Sequence, residues 1–125
     1  MIFTLLAALL LAAPEAKADA KIIKNDYSID AVDPGIKIFV REKCGSCHAP
    51  PTFTSPKTYD VGLVDEVGGK KFNPPSLRGV SQGGPYFHDG RAATLEDVFG
   101  KVRHELRAPL PPEEFGDLVH YLRGL

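Results

Sequence analysis

The chain has 125 residues, which is enough for one small domain. Its 15 basic and 16 acidic side chains nearly cancel, so the composition gives no reason to expect a nucleic-acid partner. The two cysteines, Cys44 and Cys47, lie close together, which points to a single site that uses both.

The N-terminus carries an apolar run of Ile, Phe, Leu and Ala at residues 2–13, which is too short to cross a bilayer. Pro14 ends the run, and Ala18-Asp19-Ala20 has the small-residue pattern of a cleavage site. We predict that residues 1–20 are a secretory signal peptide and that residues 21–33 are an N-terminal extension of an exported, periplasmic protein. No Lys or Arg precedes the apolar run, and an uncleaved membrane anchor is the alternative.

The first predicted helix begins at Pro34. Asp33 is a favoured N-cap residue, and proline is favoured at the first helical position. Apolar residues then follow at helical spacing: Ile36, Phe39 and Val40. We therefore expect a short amphipathic helix that presents the cysteines at its end.

The residues Cys44-Gly45-Ser46-Cys47-His48 form a C-x-x-C-H motif, by which proteins hold haem covalently. In that chemistry the two thiols add to the vinyl groups of the porphyrin, and the histidine binds the iron from one face. We predict one covalent haem c on Cys44 and Cys47, with His48 as an iron ligand. A zinc site, a thioredoxin-like redox pair and a plain disulfide are the alternatives. They are less favoured because no compact second ligand pair and no βαβ pattern accompany the motif, and the disulfide would close a very small loop.

The middle of the chain, residues 49–93, contains six prolines and seven glycines and shows little periodicity. An unstructured loop of this length argues against a compact domain. A haem changes that argument, because the loop can wrap around the macrocycle and use it as part of the core. We predict a mostly α, small cytochrome c-like domain over residues 34–125, with about three helices and this Pro/Gly-rich loop around one covalent haem.

Two further helices are predicted towards the C-terminus. Thr94 is an N-cap candidate with Asp97 three residues later. Its helix carries the apolar stripe Leu95, Val98, Phe99 and Val102. The last helix opens at Pro111-Pro112 and carries the stripe Phe115, Leu118, Val119 and Leu122. Arg123 in its last turn suits the helix dipole, whereas His120 falls away from the stripe and is expected on the surface.

Several short motifs, taken in order, resemble one known family. They are Pro75-Ser76-Leu77-Arg78-Gly79-Val80, Pro85-Tyr86-Phe87-His88-Asp89-Gly90 and Thr94-Leu95-Glu96-Asp97-Val98. With the C-x-x-C-H motif ahead of them, they resemble the C-terminal, electron-transferring haem domain of the bacterial di-haem cytochrome c peroxidase and MauG family. That family has two haem domains and reduces peroxide at the other haem, whereas this chain has one C-x-x-C-H motif. The resemblance therefore implies the electron-relay half alone.

The sixth iron ligand departs from the family's pattern. The family's relay haem usually has methionine there, but Met1 is the only methionine in this chain and would be lost with the signal peptide. We predict His104 instead, which lies where the family's ligand falls, two residues past the aligned Val102. Its place off the apolar stripe is the counter-argument, unless Gly100 ends the helix. His88 is the alternative ligand, and an open or water-bound iron is a third possibility.

Three other residues are assigned to the haem site. Arg78 is expected to pair with a haem propionate, because a guanidinium binds a carboxylate in bidentate fashion. An ordinary surface ion pair is the equally weighted alternative for Arg78. Pro75, or Pro74 before it, would offer its carbonyl to Nδ1 of the ligand histidine. Tyr86 is expected in the haem wall or core, as are Phe39, Phe53 and Phe87.

These assignments predict an exported monohaem cytochrome that carries or relays single electrons. Two imidazole ligands give a lower potential than His/Met ligation, so a low-potential carrier is expected. Its partners would be periplasmic or membrane-bound redox proteins, and it could equally be one subunit of a multi-haem assembly. No catalytic residue is assigned. An open iron position would instead favour a peroxidase or a ligand sensor.

Overall fold

The computed structural model describes residues 32–125, so the predicted signal peptide and nearly all of the predicted N-terminal extension lie outside the described residues. The described elements are α1 (Pro34–Arg41), β1 (Tyr59–Asp60), β2 (Lys71–Phe72), α2 (Leu95–Gly100) and α3 (Pro112–Arg123), with 3₁₀ turns at Cys44–Ser46 and Val80–Gln82. The three predicted helices are present. A small antiparallel sheet, in which Tyr59 pairs with Phe72, was not predicted. No helix in this part of the chain is long and apolar enough to span a membrane.

Helix α1 begins as the sequence predicts. The Asp33 carboxylate accepts a hydrogen bond from the Gly35 amide at 2.8 Å, and Pro34 occupies the first turn. The buried face of α1 consists of Gly35, Ile38 and Phe39. Val40 was expected on this face, but it is 68% exposed. The expectation was wrong because Val40 lies outside the stripe that the i, i+3, i+4 spacing of the buried residues defines.

Helices α1 and α3 approach each other most closely at Gly35. A Cβ atom at this position would lie 2.3 Å from Tyr121 Cβ and 2.4 Å from the Asp117 carbonyl oxygen. Beyond this point Arg41 Nη1 donates to Glu114 Oε1 at 2.8 Å, so an ion pair ties the end of α1 to α3. The two helices thus fix the direction in which α1 leads into the cysteine motif.

Helix α2 is shorter than the predicted stripe. Thr94 Oγ1 accepts from the Asp97 amide at 3.1 Å, as expected of an N-cap, but the helix ends at Gly100. Val102 therefore packs against the core from the following turn rather than from the helix. The core itself is formed by buried apolar side chains from all three helices and from Ala92, namely Ile38, Phe39, Ala92, Leu95, Val98, Phe99, Leu118, Val119 and Leu122.

The segment between α1 and α2 is held mainly by hydrogen bonds from side chains and isolated bridges. Asn73 Nδ2 donates to the carbonyls of Ser55 and Lys57 at 2.8 and 2.9 Å. Isolated bridges join Ala49 to Thr54 and Tyr86 to Ala92. This segment forms one wall of the cavity that holds the candidate site.

Candidate haem-binding site

A cavity of about 960 Å³ lies between the end of α1, the long central segment and the turn after α2. Cofactor sites commonly enclose roughly 300–1,000 Å³, so the cavity is of the right size for a large prosthetic group. Cys44, Cys47 and His48 all line it. Much of the remaining lining is apolar and includes Leu63, Phe72, Phe87, Val98, Leu118 and Leu122. A flat apolar macrocycle with one polar edge fits such a lining.

The C-x-x-C-H motif is presented by a tight turn directly after α1. Lys43 has a left-handed backbone, with φ 60°, and a 3₁₀ turn follows from Cys44 to Ser46. The His48 amide then donates to the Cys44 carbonyl at 2.9 Å. This turn brings two thiols and one imidazole to the same wall of the cavity.

The two thiols do not have the properties of a redox pair. Both are free and half-buried. Burial, with a smaller contribution from the Glu42 carboxylate, raises the pKa of the Cys44 thiol to about 11. Burial and the nearby Glu105 carboxylate also raise the pKa of Cys47. A thioredoxin-like site requires a lowered thiol pKa, so this alternative does not fit the site.

His48 is oriented by two backbone carbonyls. Its Nδ1 lies 3.0 Å from the Pro75 oxygen and 3.2 Å from the Phe53 oxygen. Because both partners only accept, Nδ1 must carry the hydrogen, which leaves Nε2 free to bind a metal. Burial lowers the pKa of His48, so the imidazole is neutral, as a metal ligand must be. The proline carbonyl is the expected one, Pro75, whereas the Pro74 carbonyl accepts from Thr54 Oγ1.

His104 faces His48 across the cavity. The two ring centroids are 6.5 Å apart, with an angle of 72° between the ring planes. Metal–imidazole bonds are about 2 Å long, so a separation of this size suits two imidazoles that bind one metal from opposite sides. Burial, with a smaller contribution from the nearby His48, lowers the pKa of His104 to about 4, so this ring is also neutral at physiological pH.

The turn after α2 is what brings His104 into the cavity. Arg103 and Glu105, on either side of it, have left-handed backbones with φ 56° and 53°. The His104 amide donates to the Val98 carbonyl at 3.1 Å, and its ring packs edge-on to Phe87 at 5.3 Å. A continued helix would have pointed this side chain away from the apolar stripe.

The other predicted site residues are placed differently. His88 is exposed at the cavity rim, where its ring stacks on Phe72 at 4.7 Å. Tyr86 lines the cavity and its hydroxyl donates to the Val80 carbonyl at 2.8 Å. Arg78 is exposed, does not line the cavity, and donates to the Pro51 carbonyl at 3.3 Å. The structure therefore does not place Arg78 in the cavity lining, and its guanidinium instead contacts the backbone of the central segment.

Sequence reasoning did not assign several cavity residues. Arg107 lies at the cavity three positions after His104, and Lys43 lies beside the first cysteine. Both are cations that could have been flagged as neighbours of assigned ligands. Phe72 comes from a two-residue strand, which leaves no periodic signal in a sequence.

A zinc site is not supported. In residues 32–125 no group of three or more His, Cys, Asp or Glu side chains is arranged to hold a metal ion. One imidazole on each side of the cavity, with two thiols nearby, fits a metal whose remaining ligands come from a macrocycle. The donor set, the lining and the size of the cavity all fit a haem c.

The chain is similar in sequence to parts of longer known proteins. No protein-family model matches the chain. The chain is 30% identical over 138 aligned positions to the methylamine utilization protein MauG of Methylorubrum extorquens, covering 89% of this chain and 39% of that protein. It is 29% identical to the cytochrome c551 peroxidase of Nitrosomonas europaea, covering 82% and 36%. It is also 41% identical, over 45% of its own length, to 17% of the hydrazine synthase subunit gamma of Kuenenia stuttgartiensis.

These similarities indicate a haem domain of the MauG and cytochrome c peroxidase type. The chain spans at most two fifths of the length of these three relatives. Haem is therefore supported as the cofactor of this domain.

Proposed function

We propose that residues 34–125 form a monohaem c-type cytochrome domain that carries or relays single electrons at low potential. The observation that carries this proposal is the pair of half-buried imidazoles, His48 and His104, whose ring centroids are 6.5 Å apart in the cavity that the two thiols also line. In this proposal Cys44 and Cys47 would hold the haem by thioether bonds, and His48 and His104 would bind its iron. The bound haem supplies one-electron chemistry at iron, between the ferric and ferrous states.

The protein's own residues favour electron transfer over catalysis. The carbonyls of Pro75 and Phe53 hold His48 with Nε2 directed away from them. His104 takes the position that a substrate would need, and Phe87 packs against its ring. If His48 and His104 both bound the iron, the site would favour electron transfer over peroxide chemistry, which needs an open iron position.

Partners and location belong to the same proposal. A carrier of this size would dock on redox proteins through a small, weak interface. One relative is named as a hydrazine synthase subunit, and a place within a larger haem assembly is the other setting that we propose. Export to the periplasm is proposed because residues 1–20 read as a signal peptide and because haem is attached to this motif outside the cytoplasm.

The test is optical spectroscopy of the protein produced in a host that attaches haem c. We expect a low-spin oxidised spectrum and sharp α and β bands on reduction with dithionite. His104→Ala should convert the oxidised haem to high spin, whereas the exposed His88 and His120, each replaced by Ala, should leave the spectrum unchanged. If all three variants stay low-spin, His104 is not the ligand.

Two further outcomes would redirect or refute the proposal. A high-spin wild-type spectrum would mean an open iron position. Rapid spectral change with peroxide would then favour a peroxidase, and carbon monoxide binding alone would favour a sensor. Absence of covalently attached haem would refute the proposal entirely.

A further inference from the structure

The hydrogen on His48 Nδ1 has two acceptors rather than one. The Pro75 oxygen lies 3.0 Å away and the Phe53 oxygen 3.2 Å away, on a ring that is more than half buried. Nothing in the sequence assigned Phe53 to this contact. Its side chain is not part of the cavity lining, so its direct contact with His48 is made through its backbone carbonyl.

Phe53 reaches His48 only because its backbone is left-handed, with φ 53°. This conformation is unfavourable for a residue with a bulky side chain, and it persists where the surroundings enforce it. Here three contacts enforce it. The neighbouring Thr54 bridges to Ala49, the Phe53 carbonyl also accepts the Leu77 amide at 3.2 Å, and the Phe53 ring packs edge-on to Phe39 at 5.9 Å.

A second acceptor on Nδ1 has a defined chemical effect. Hydrogen bonds from the far nitrogen of a ligand imidazole fix the ring and increase its basicity towards the metal. A more basic ligand stabilises the ferric state relative to the ferrous state. Two carbonyls that share this hydrogen therefore lower the reduction potential further than one carbonyl does.

We propose that Phe53 is a positioning residue whose left-handed backbone delivers a second carbonyl to His48 and lowers the potential of the bound haem. This inference rests on the proposed function, since it concerns the residues that would tune a haem ligated by His48. It adds a residue that influences the reduction potential from outside the cavity lining, in the loop between the cysteine motif and Pro75.

Three substitutions at Phe53 separate the effect of the backbone conformation from the effect of losing the side chain. Glycine adopts a positive φ freely, asparagine tolerates it, and β-branched valine strongly disfavours it. All three remove the ring that packs on Phe39, so this loss is common to the series. We expect Phe53→Val to raise the reduction potential above that of Phe53→Gly and Phe53→Asn, which should agree with each other.

The measurement is a spectroelectrochemical titration of the haem-loaded proteins, with thermal unfolding recorded in parallel. If the three variants share one potential, or if the valine variant has the lowest, the proposal is overturned. Should the valine variant fail to load haem, Phe53→Ala takes its place, with the same ordering expected. Wild-type protein without covalent low-spin haem would instead overturn the proposed function, so the two failures are distinguishable.

Discussion

The close approach of α3 to Gly35 makes a sharp prediction. At Gly35 helix α1 meets α3, and a Cβ atom there would lie 2.3 Å from Tyr121 Cβ and 2.4 Å from the Asp117 carbonyl oxygen. Neither atom can escape by changing a side-chain rotamer, because one is a carbonyl and the other is fixed to the backbone. Gly35→Ala must therefore push the two helices apart.

The size of the effect follows from two opposing contributions. Overpacking of a well-packed contact costs typically about 1–3 kcal/mol, and we take the upper end because both obstacles are rigid. Alanine favours a helix over glycine by about 1 kcal/mol, which offsets part of this cost. The net loss is about 2 kcal/mol, which corresponds to a fall in Tm of about 8–16 °C for a domain of this size.

A matched control is present in the other helix. A Cβ atom on Gly116, within α3, would meet nothing within 4 Å. Gly116→Ala should therefore raise the unfolding free energy by about 0.5–1 kcal/mol through helix propensity alone. Thermal unfolding of the haem-loaded proteins, followed by circular dichroism, measures both. A Tm for Gly35→Ala within two or so degrees of wild type, or an equal fall for Gly116→Ala, would refute the reasoning.

Three other substitutions test separate parts of the fold. Thr94→Ala removes the oxygen that accepts the Asp97 amide at 3.1 Å, so urea unfolding should show a loss of about 1 kcal/mol, and no loss would count against the cap. Ile38→Val removes a methylene from a residue 4% exposed and outside the cavity lining, so it should cost about 0.5–1.5 kcal/mol and leave the haem spectrum unchanged. Glu114→Gln tests pH dependence. Its hydrogen bond to Arg41 lowers the pKa of Glu114, so the contribution of this ion pair is present above the usual glutamate pKa and is lost as the pH falls through the lowered folded value. The unfolding free energies of wild type and variant, measured by urea titration, should converge in acid. A difference between them that stays constant with pH would contradict this.

The helix ends were predictable because their signals are local. Asp33 before Pro34 and the proline pair before Glu113 are short patterns that act on the adjacent backbone, and both helices begin there. The cysteine motif is also a local signal, since its spacing is a chemical requirement, and its assignment to covalent haem stays a prediction. The expected hydrogen bond from His48 to a proline carbonyl is also present.

The approach of His104 to His48 was harder to predict from sequence. Helical phase argued against His104, and the argument fails because α2 ends at Gly100 and the chain then turns through left-handed Arg103 and Glu105. Neither residue is a glycine, asparagine or aspartate, so the sequence carries no local signal for positive φ there. The carbonyl of Phe53 was missed for the same reason.

Several residues serve the helical core and the cavity wall at once: Leu95, Val98, Phe99, Leu118 and Leu122. In the proposed holoprotein these side chains complete their packing against the porphyrin, so consolidation of the domain depends on cofactor insertion. Maturation would then act as a checkpoint. In this proposal a chain without haem would keep a cavity of about 960 Å³ beside its own core. It would be less stable than the haem-loaded protein, because a ligand that binds only the folded state stabilises that state, and it would be the more readily degraded form.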